Sequence, residues 1–163
     1  MEDTKFVIID DNNDHPKIID KIEKLNNNIQ NGKHIFLFLS MDGCGHCIST
    51  KPNWDNIKYK LKTNNNNYVV ARINSNLFDK VKGIGSEPSG FPTLRYIKGD
   101  KVKEYEDDGF RDRSTDSFVE WIKNKVNEKK GGSKKRKSRK TSSRKGGKKA
   151  SRKGGKKTRK SKK

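Results

Sequence analysis

Ile35-Phe36-Leu37-Phe38-Leu39 runs without a polar residue, and Cys44-Gly45-His46-Cys47 begins five residues after it ends. A short, uninterrupted apolar run suits a central strand covered on both faces, because a strand with one wet face alternates instead. The cysteines then lie just past that strand, at the start of a helix whose apolar positions continue as Trp54, Ile57 and Leu61. A helix start offers unpaired N–H groups and the positive end of the helix dipole, and both favour a thiolate. Cys44 is therefore a candidate nucleophile. The two-residue spacer places Cys47 one turn behind it, within reach of a mixed disulfide on Cys44. His46 can carry positive charge beside the thiolate, which would stabilise the reduced pair and make its disulfide more oxidising. The implied chemistry is a two-electron exchange through Cys44 and Cys47.

Outward from this centre, Phe6-Val7-Ile8-Ile9 is a short apolar run. Ile18, Ile19, Ile22, Leu25 and Ile29 after Pro16 then recur at helical spacing up to Asn31-Gly32. Tyr68 to Ile73 predicts a second core strand, so strand, helix and strand around the cysteines imply a parallel crossover. A short helical stretch near Leu77, Phe78 and Val81 precedes a turn-rich loop, Gly83 to Gly90. Thr93 to Ile97 and Val102 to Tyr105 around Gly99-Asp100 predict a hairpin. A last helix opens with Ser114 as its cap and Asp116 in its first turn, with Phe118, Trp121, Ile122 and Val126 on one face. The Asn-rich stretches at 26–28 and 64–67 are compositional and carry no chemistry.

Charge divides the chain. It has 163 residues, 40 Lys+Arg, 20 Asp+Glu and only 28% hydrophobic residues, too polar an average for one ordinary globular domain. Residues 129–163 hold 20 of the cations, no acid and one hydrophobic residue, Ala150. Residues 1–128 are thus neutral overall and long enough for one core. In the tail, Ser143-Arg144-Lys145-Gly146-Gly147-Lys148-Lys149 recurs as Ser151-Arg152-Lys153-Gly154-Gly155-Lys156-Lys157. Such a segment has no apolar area to offset chain entropy and is expected to be disordered when free. Its cations, among them Lys134, Lys135, Arg136, Lys137, Arg144, Lys145, Arg152 and Lys153, suit a polyanion bound by counterion release, nucleic acid first. An anionic membrane surface, an import receptor reading Lys134 to Lys137, and an acidic protein are the other partners of that chemistry. No aromatic residue is there to stack on bases.

Cys44-Gly45-His46-Cys47 with Pro52 behind it, and Gly90-Phe91-Pro92-Thr93 ahead of the hairpin, resembles the thioredoxin superfamily. The Gly-His spacer is similar to that of protein disulfide isomerases, and Tyr105, Gly109, Arg111, Phe118 and Trp121 follow the usual ending, so the resemblance covers roughly residues 5 to 127. It implies an α/β thioredoxin fold, a central mixed β-sheet flanked by helices. It also implies a redox-active Cys44–Cys47 disulfide, a cis Pro92 packed against it, and a substrate chain paired with Gly90, Phe91 and Pro92. Three positions depart from the family pattern. Gly43 stands where Trp is usual, with Asp42 before it; Phe38 replaces a buried acid six residues before the first cysteine; and the Gly83 to Gly90 loop is a few residues longer. Asp42 or water is then the route by which Cys47 loses its proton.

Two functions follow. The first is a thiol–disulfide oxidoreductase, disulfide isomerase-like, acting on protein thiols and disulfides without a cofactor. The second is a noncatalytic binding module, with the fold as scaffold and the tail as a nucleic-acid or virion anchor. Metal is not expected, since His15, His34 and His46 lack the spacing to complete a four-ligand site with the cysteine pair. His15 and His34 are expected at the surface or at helix ends, and Trp54 and Trp121 in the core. No leader and no run of about 20 apolar residues is present, so the expectation is a soluble monomer, cytoplasmic or virion-associated. Asn-rich loops joined to a basic tail resemble, in composition only, proteins of large DNA viruses.

Overall fold

The computed structural model describes residues 5–10, 15–61 and 66–128. Strand β1 (Phe6–Ile9) is followed by helix α1 (His15–Gln30), β2 (His34–Ser40), α2 (Gly45–Asp55), α3 (Ile57–Lys60), β3 (Tyr68–Asn74), β4 (Thr93–Lys98), β5 (Lys101–Glu104) and α4 (Thr115–Asn127). The strands form one mixed sheet in the order β1-β3-β2-β4-β5. β3 runs parallel to both β1 and β2, whereas β4 is antiparallel to β2 and to β5. Every residue of β2 and β3 is buried, the polar His34, Ser40, Arg72 and Asn74 included. The β4–β5 hairpin turns at Gly99, whose φ of 56° is a left-handed conformation that glycine adopts without steric cost.

Side-chain alternation divides the core into two chemistries. Ile35, Leu37 and Leu39 face an aliphatic layer that includes Ile18, Ile22, Leu25 and Ile29 of α1. Phe36 and Phe38 face an aromatic layer with Trp54, Tyr68, Tyr96, Tyr105, Phe118 and Trp121. Edge-to-face pairs knit the latter, with centroids 5.1 Å apart for Phe36 and Trp121 and 5.2 Å for Trp54 and Phe118, geometry favoured by the ring quadrupoles.

The structure differs from the sequence reading in several places. The single helix expected behind the cysteines is two: α2 runs through Pro52 to Asp55, and at Asn56 the ladder tightens to an i→i+3 bond, the Tyr59 N–H donating to the Asn56 carbonyl at 3.1 Å. Ile19 is 48% exposed, since the buried positions of α1 follow a 4-3-4 spacing that leaves it beside the stripe. The stretch around Leu77 and Phe78 is a 3-10 helix, Ser75–Lys80, capped by the Asn74 side chain, which accepts from the Asn76 N–H at 3.1 Å. His34, expected at the surface, is 3% exposed in β2, on the same face as Phe36 and Phe38. Ser114 caps α4 as expected, accepting from the Ser117 N–H. The basic segment, with the polyanion-binding cations named above, lies outside the described residues.

Candidate active site

β2 ends at Ser40, and four residues, Met41 to Cys44, carry the chain to α2. Gly43 has a φ of +73°, a conformation that costs an L side chain about 1–2 kcal/mol, while nothing lies within 4 Å of where its Cβ would stand. Backbone shape and not space therefore explains glycine where an aromatic residue is usual. The turn delivers Cys44 as the N-cap of α2, and its sulfur accepts from the Cys47 N–H at 3.1 Å. Cys44 and Cys47 are disulfide-bonded with Cα atoms 5.2 Å apart. Cys44 is half-buried and Cys47 only 3% exposed, so an incoming sulfur meets Cys44 first. His46 is exposed on the first turn, and its carbonyl accepts from Thr50 Oγ1 at 2.8 Å and Ser49 Oγ at 3.0 Å.

The second wall comes from the segment entering β4. The Phe91–Pro92 peptide is cis, and the Phe91 carbonyl oxygen lies 3.6 Å from Cys44 Sγ. Thr93 Oγ1 donates to the Gly90 carbonyl at 2.7 Å, closing the turn. Gly90, Phe91 and Pro92 are thus brought beside the disulfide from 47 residues away.

Phe38 is fully buried and packs on Trp54 with ring centroids 5.6 Å apart. Its register neighbour on β3 is Arg72, whose guanidinium bonds Asp55 of α2 and, at 2.7 Å, Asp10 just after β1. The carboxylates balancing this buried charge thus come from α2 and from the end of β1, whereas β2 supplies an aromatic ring. Asp42 Oδ1 accepts from Asn74 Nδ2 at 2.8 Å. Among the described residues, no group of three or more His, Cys, Asp or Glu side chains could hold a metal ion.

Sequence reasoning missed the polar network at the far end of the sheet. His34 Nε2 lies 2.7 Å from Lys98 Nζ, and Nδ1 lies 2.9 Å from Tyr96 Oη. An ammonium only donates, so Nε2 accepts and the neutral ring presents Nδ1–H to Tyr96. Burial, then the Lys98 charge, lowers the His34 pKa, with Glu128 opposing. Burial, followed by Glu128 and Asp108, pushes Tyr96 up to about 12. Lys125 and the Trp121 indole both donate to Asp108, at 2.7 Å and 2.9 Å. The available signal was the period of two that places His34 in line with Phe36 and Phe38.

The first thioredoxin domain of mouse protein disulfide-isomerase A4 superposes on this chain with a TM-score of 0.52, covering 88% of this chain and 91% of that domain at 19% identity. This is the thioredoxin fold. The J-Trx1 fragment of ERdj5 superposes with the same TM-score at 16% identity, over 76% of this chain and 53% of the fragment. Protein disulfide-isomerase TMX3 of Xenopus laevis is 31% identical over 64 residues, which are 38% of this chain and 14% of that protein. No family model matches. In this setting the mixed sheet, the disulfide at the head of α2 and the cis proline opposite it follow the resemblance drawn from the sequence. Among the described residues, no helix is long and apolar enough to cross a membrane.

Proposed function

We propose that this chain is a thiol–disulfide oxidoreductase acting on polypeptide disulfides in the manner of a disulfide isomerase, with Cys44 attacking and Cys47 resolving. The observation that carries this reading is a half-buried N-cap sulfur, Cys44, disulfide-bonded to the buried Cys47 and facing the Phe91 carbonyl. In the reduced protein the Cys44 thiolate attacks one sulfur of a substrate disulfide, forms a mixed disulfide and expels the other substrate sulfur as thiolate. Cys47 loses its proton to solvent and attacks Cys44 Sγ, so the second substrate thiolate leaves and the protein is oxidised by two electrons. The backbone beside Pro92 offers the substrate chain a carbonyl to pair with. Insulin reduction is expected for wild type and not for Cys44→Ser; equal activity would reject the assignment. A noncatalytic binding role, favoured by Phe38 in place of the acid, predicts no reduction by either protein.

His46 in the spacer supports a pair more oxidising than one carrying proline there, with a potential nearer about −180 mV than about −270 mV. His46→Pro is expected to move it toward the reducing end, and a wild-type potential below about −250 mV would contradict this. The basic segment is proposed as a polyanion anchor. If about 6 to 10 of its cations contact duplex phosphates, affinity falls by roughly 10³ to 10⁵ between 50 and 200 mM salt. Gel shifts that are salt-independent, or unchanged in a chain ending at Glu128, would reject it.

A further inference from the structure

We infer that Arg95 is a positioning residue for the substrate groove, holding the long loop that presents Phe91 and Pro92 to Cys44. This inference rests on the oxidoreductase reading above. Arg95 lies on β4, three residues after the cis proline, and is 4% exposed on the aliphatic face of the sheet, in register with Leu37. Its Nη1 donates to the carbonyls of Ile84 at 2.9 Å and Ser86 at 2.6 Å, and Nη2 meets Glu104 Oε1 of the neighbouring strand at 3.4 Å. The arginine thereby closes residues 84–95 into a ring, and the Phe91 carbonyl, 3.6 Å from Cys44 Sγ, lies within it. A charged group buried in aliphatic surroundings is costly unless its hydrogen bonds are made. Here two of those bonds go to the loop leading into the groove.

Gly85, between the two carbonyls, adds an independent constraint. Its φ is +90°, and a Cβ there would stand 3.2 Å from Val102 Cγ1 and 3.4 Å from Arg95 Nη1. The loop backbone thus packs against both the guanidinium and Val102, and a side chain at this left-handed residue would strain the backbone and press on Val102. Arg95 touches neither sulfur, so its loss acts on how an extended chain is held and leaves the sulfur chemistry alone.

The test is single-turnover kinetics of the prereduced full chain against two disulfides. One is a homodimeric disulfide of a short cysteine peptide, which needs the groove, and the other is hydroxyethyl disulfide, which does not. Arg95→Met is expected to raise the half-saturating peptide concentration about tenfold, the scale of losing charged hydrogen bonds. The saturated rate and the hydroxyethyl disulfide rate stay within about twofold. Arg95→Lys, which keeps a donor, is expected to recover part of the loss, and Gly85→Ala to show the same split as Arg95→Met more weakly. A merely structural arginine would lower the melting temperature while leaving the ratio of the two substrates unchanged, and that result would overturn the inference. If Arg95→Met does not fold, the ratio is read from Arg95→Lys and Gly85→Ala, and two wild-type ratios there would overturn it equally. Failure of wild type to react with hydroxyethyl disulfide would instead reject the oxidoreductase reading itself.

Discussion

The two faces of the sheet solve the same problem with different side chains. The aliphatic face packs α1 and the loop ahead of β4 against Ile35, Leu37 and Leu39, and so positions the cis-proline wall of the groove. The aromatic face packs α2, α3 and α4 against Phe36 and Phe38, and so positions the cysteine pair. Each face buries one arginine in register with β2, but Arg72 meets carboxylates of Asp10 and Asp55 whereas Arg95 takes two loop carbonyls and one distant carboxylate. Ion pairing thus staples the rim of β1 to α2, and dipoles staple a loop. The comparison also locates the departure at Phe38. The ring that replaces an acid extends the aromatic layer under α2, so packing of the active-site helix is gained where a proton acceptor is absent.

Deleting that ring gives the largest effect. Phe38→Ala is expected to cost about 3–5 kcal/mol in denaturant unfolding, the range for a fully buried aromatic residue. A loss below about 1 kcal/mol would show that the aromatic layer does not depend on it. Phe38→Glu follows, destabilising by about 2 kcal/mol or more because a carboxyl loses its hydration beside Trp54 while its neighbour Arg72 is already bonded to Asp10 and Asp55. If the carboxyl takes the Cys47 proton, the second step of exchange accelerates despite that cost; an unchanged rate shows that the acid is dispensable in this chain. Smaller still is the coupling between layers. A double-mutant cycle of Phe38→Ala with Trp54→Ala should show an interaction of about 0.5–1.5 kcal/mol, as aromatic pairs do. Leu37→Ala with Trp54→Ala should be additive within about 0.3–0.5 kcal/mol, because the sheet separates them.

The smallest effect is the response of His34 to acid. Its folded pKa lies below the ordinary value near 6.5, so the unfolded chain binds the proton more readily. The stability it contributes is full above about pH 6.5 and is lost as pH falls from there through the folded value. His34→Phe should flatten that part of the stability profile, and an unchanged slope would assign it to other groups.

Much of this was legible in the chain. The apolar run at 35–39 and the largely apolar stretch at 68–73 marked the central strands, because burial on both faces leaves no room for alternation. The cysteine spacing and Gly90-Phe91-Pro92-Thr93 pointed to the two walls of the site. The polar groups inside the core were not legible. Arg72 and Arg95 interrupt apolar strands, and their partners are chosen by tertiary proximity: Asp10 lies 62 residues from Arg72, and Ile84 lies 11 residues from Arg95. The break at Asn56 is one tightened turn, a difference too small for spacing alone to reveal. Gly43 stands where the resemblance expects Trp, and its positive φ, invisible in the sequence, is a backbone requirement.

The most direct test of the account is to trap the intermediate. Cys47→Ser, mixed with an oxidised polypeptide substrate, should accumulate a disulfide adduct through Cys44 that a reductant releases, because the resolving sulfur is gone. Cys44→Ser should form none, since the remaining sulfur is buried behind the helix start. Adducts formed equally by both variants, or by neither, would contradict the assignment of Cys44 as the attacking thiol and Cys47 as the resolving one.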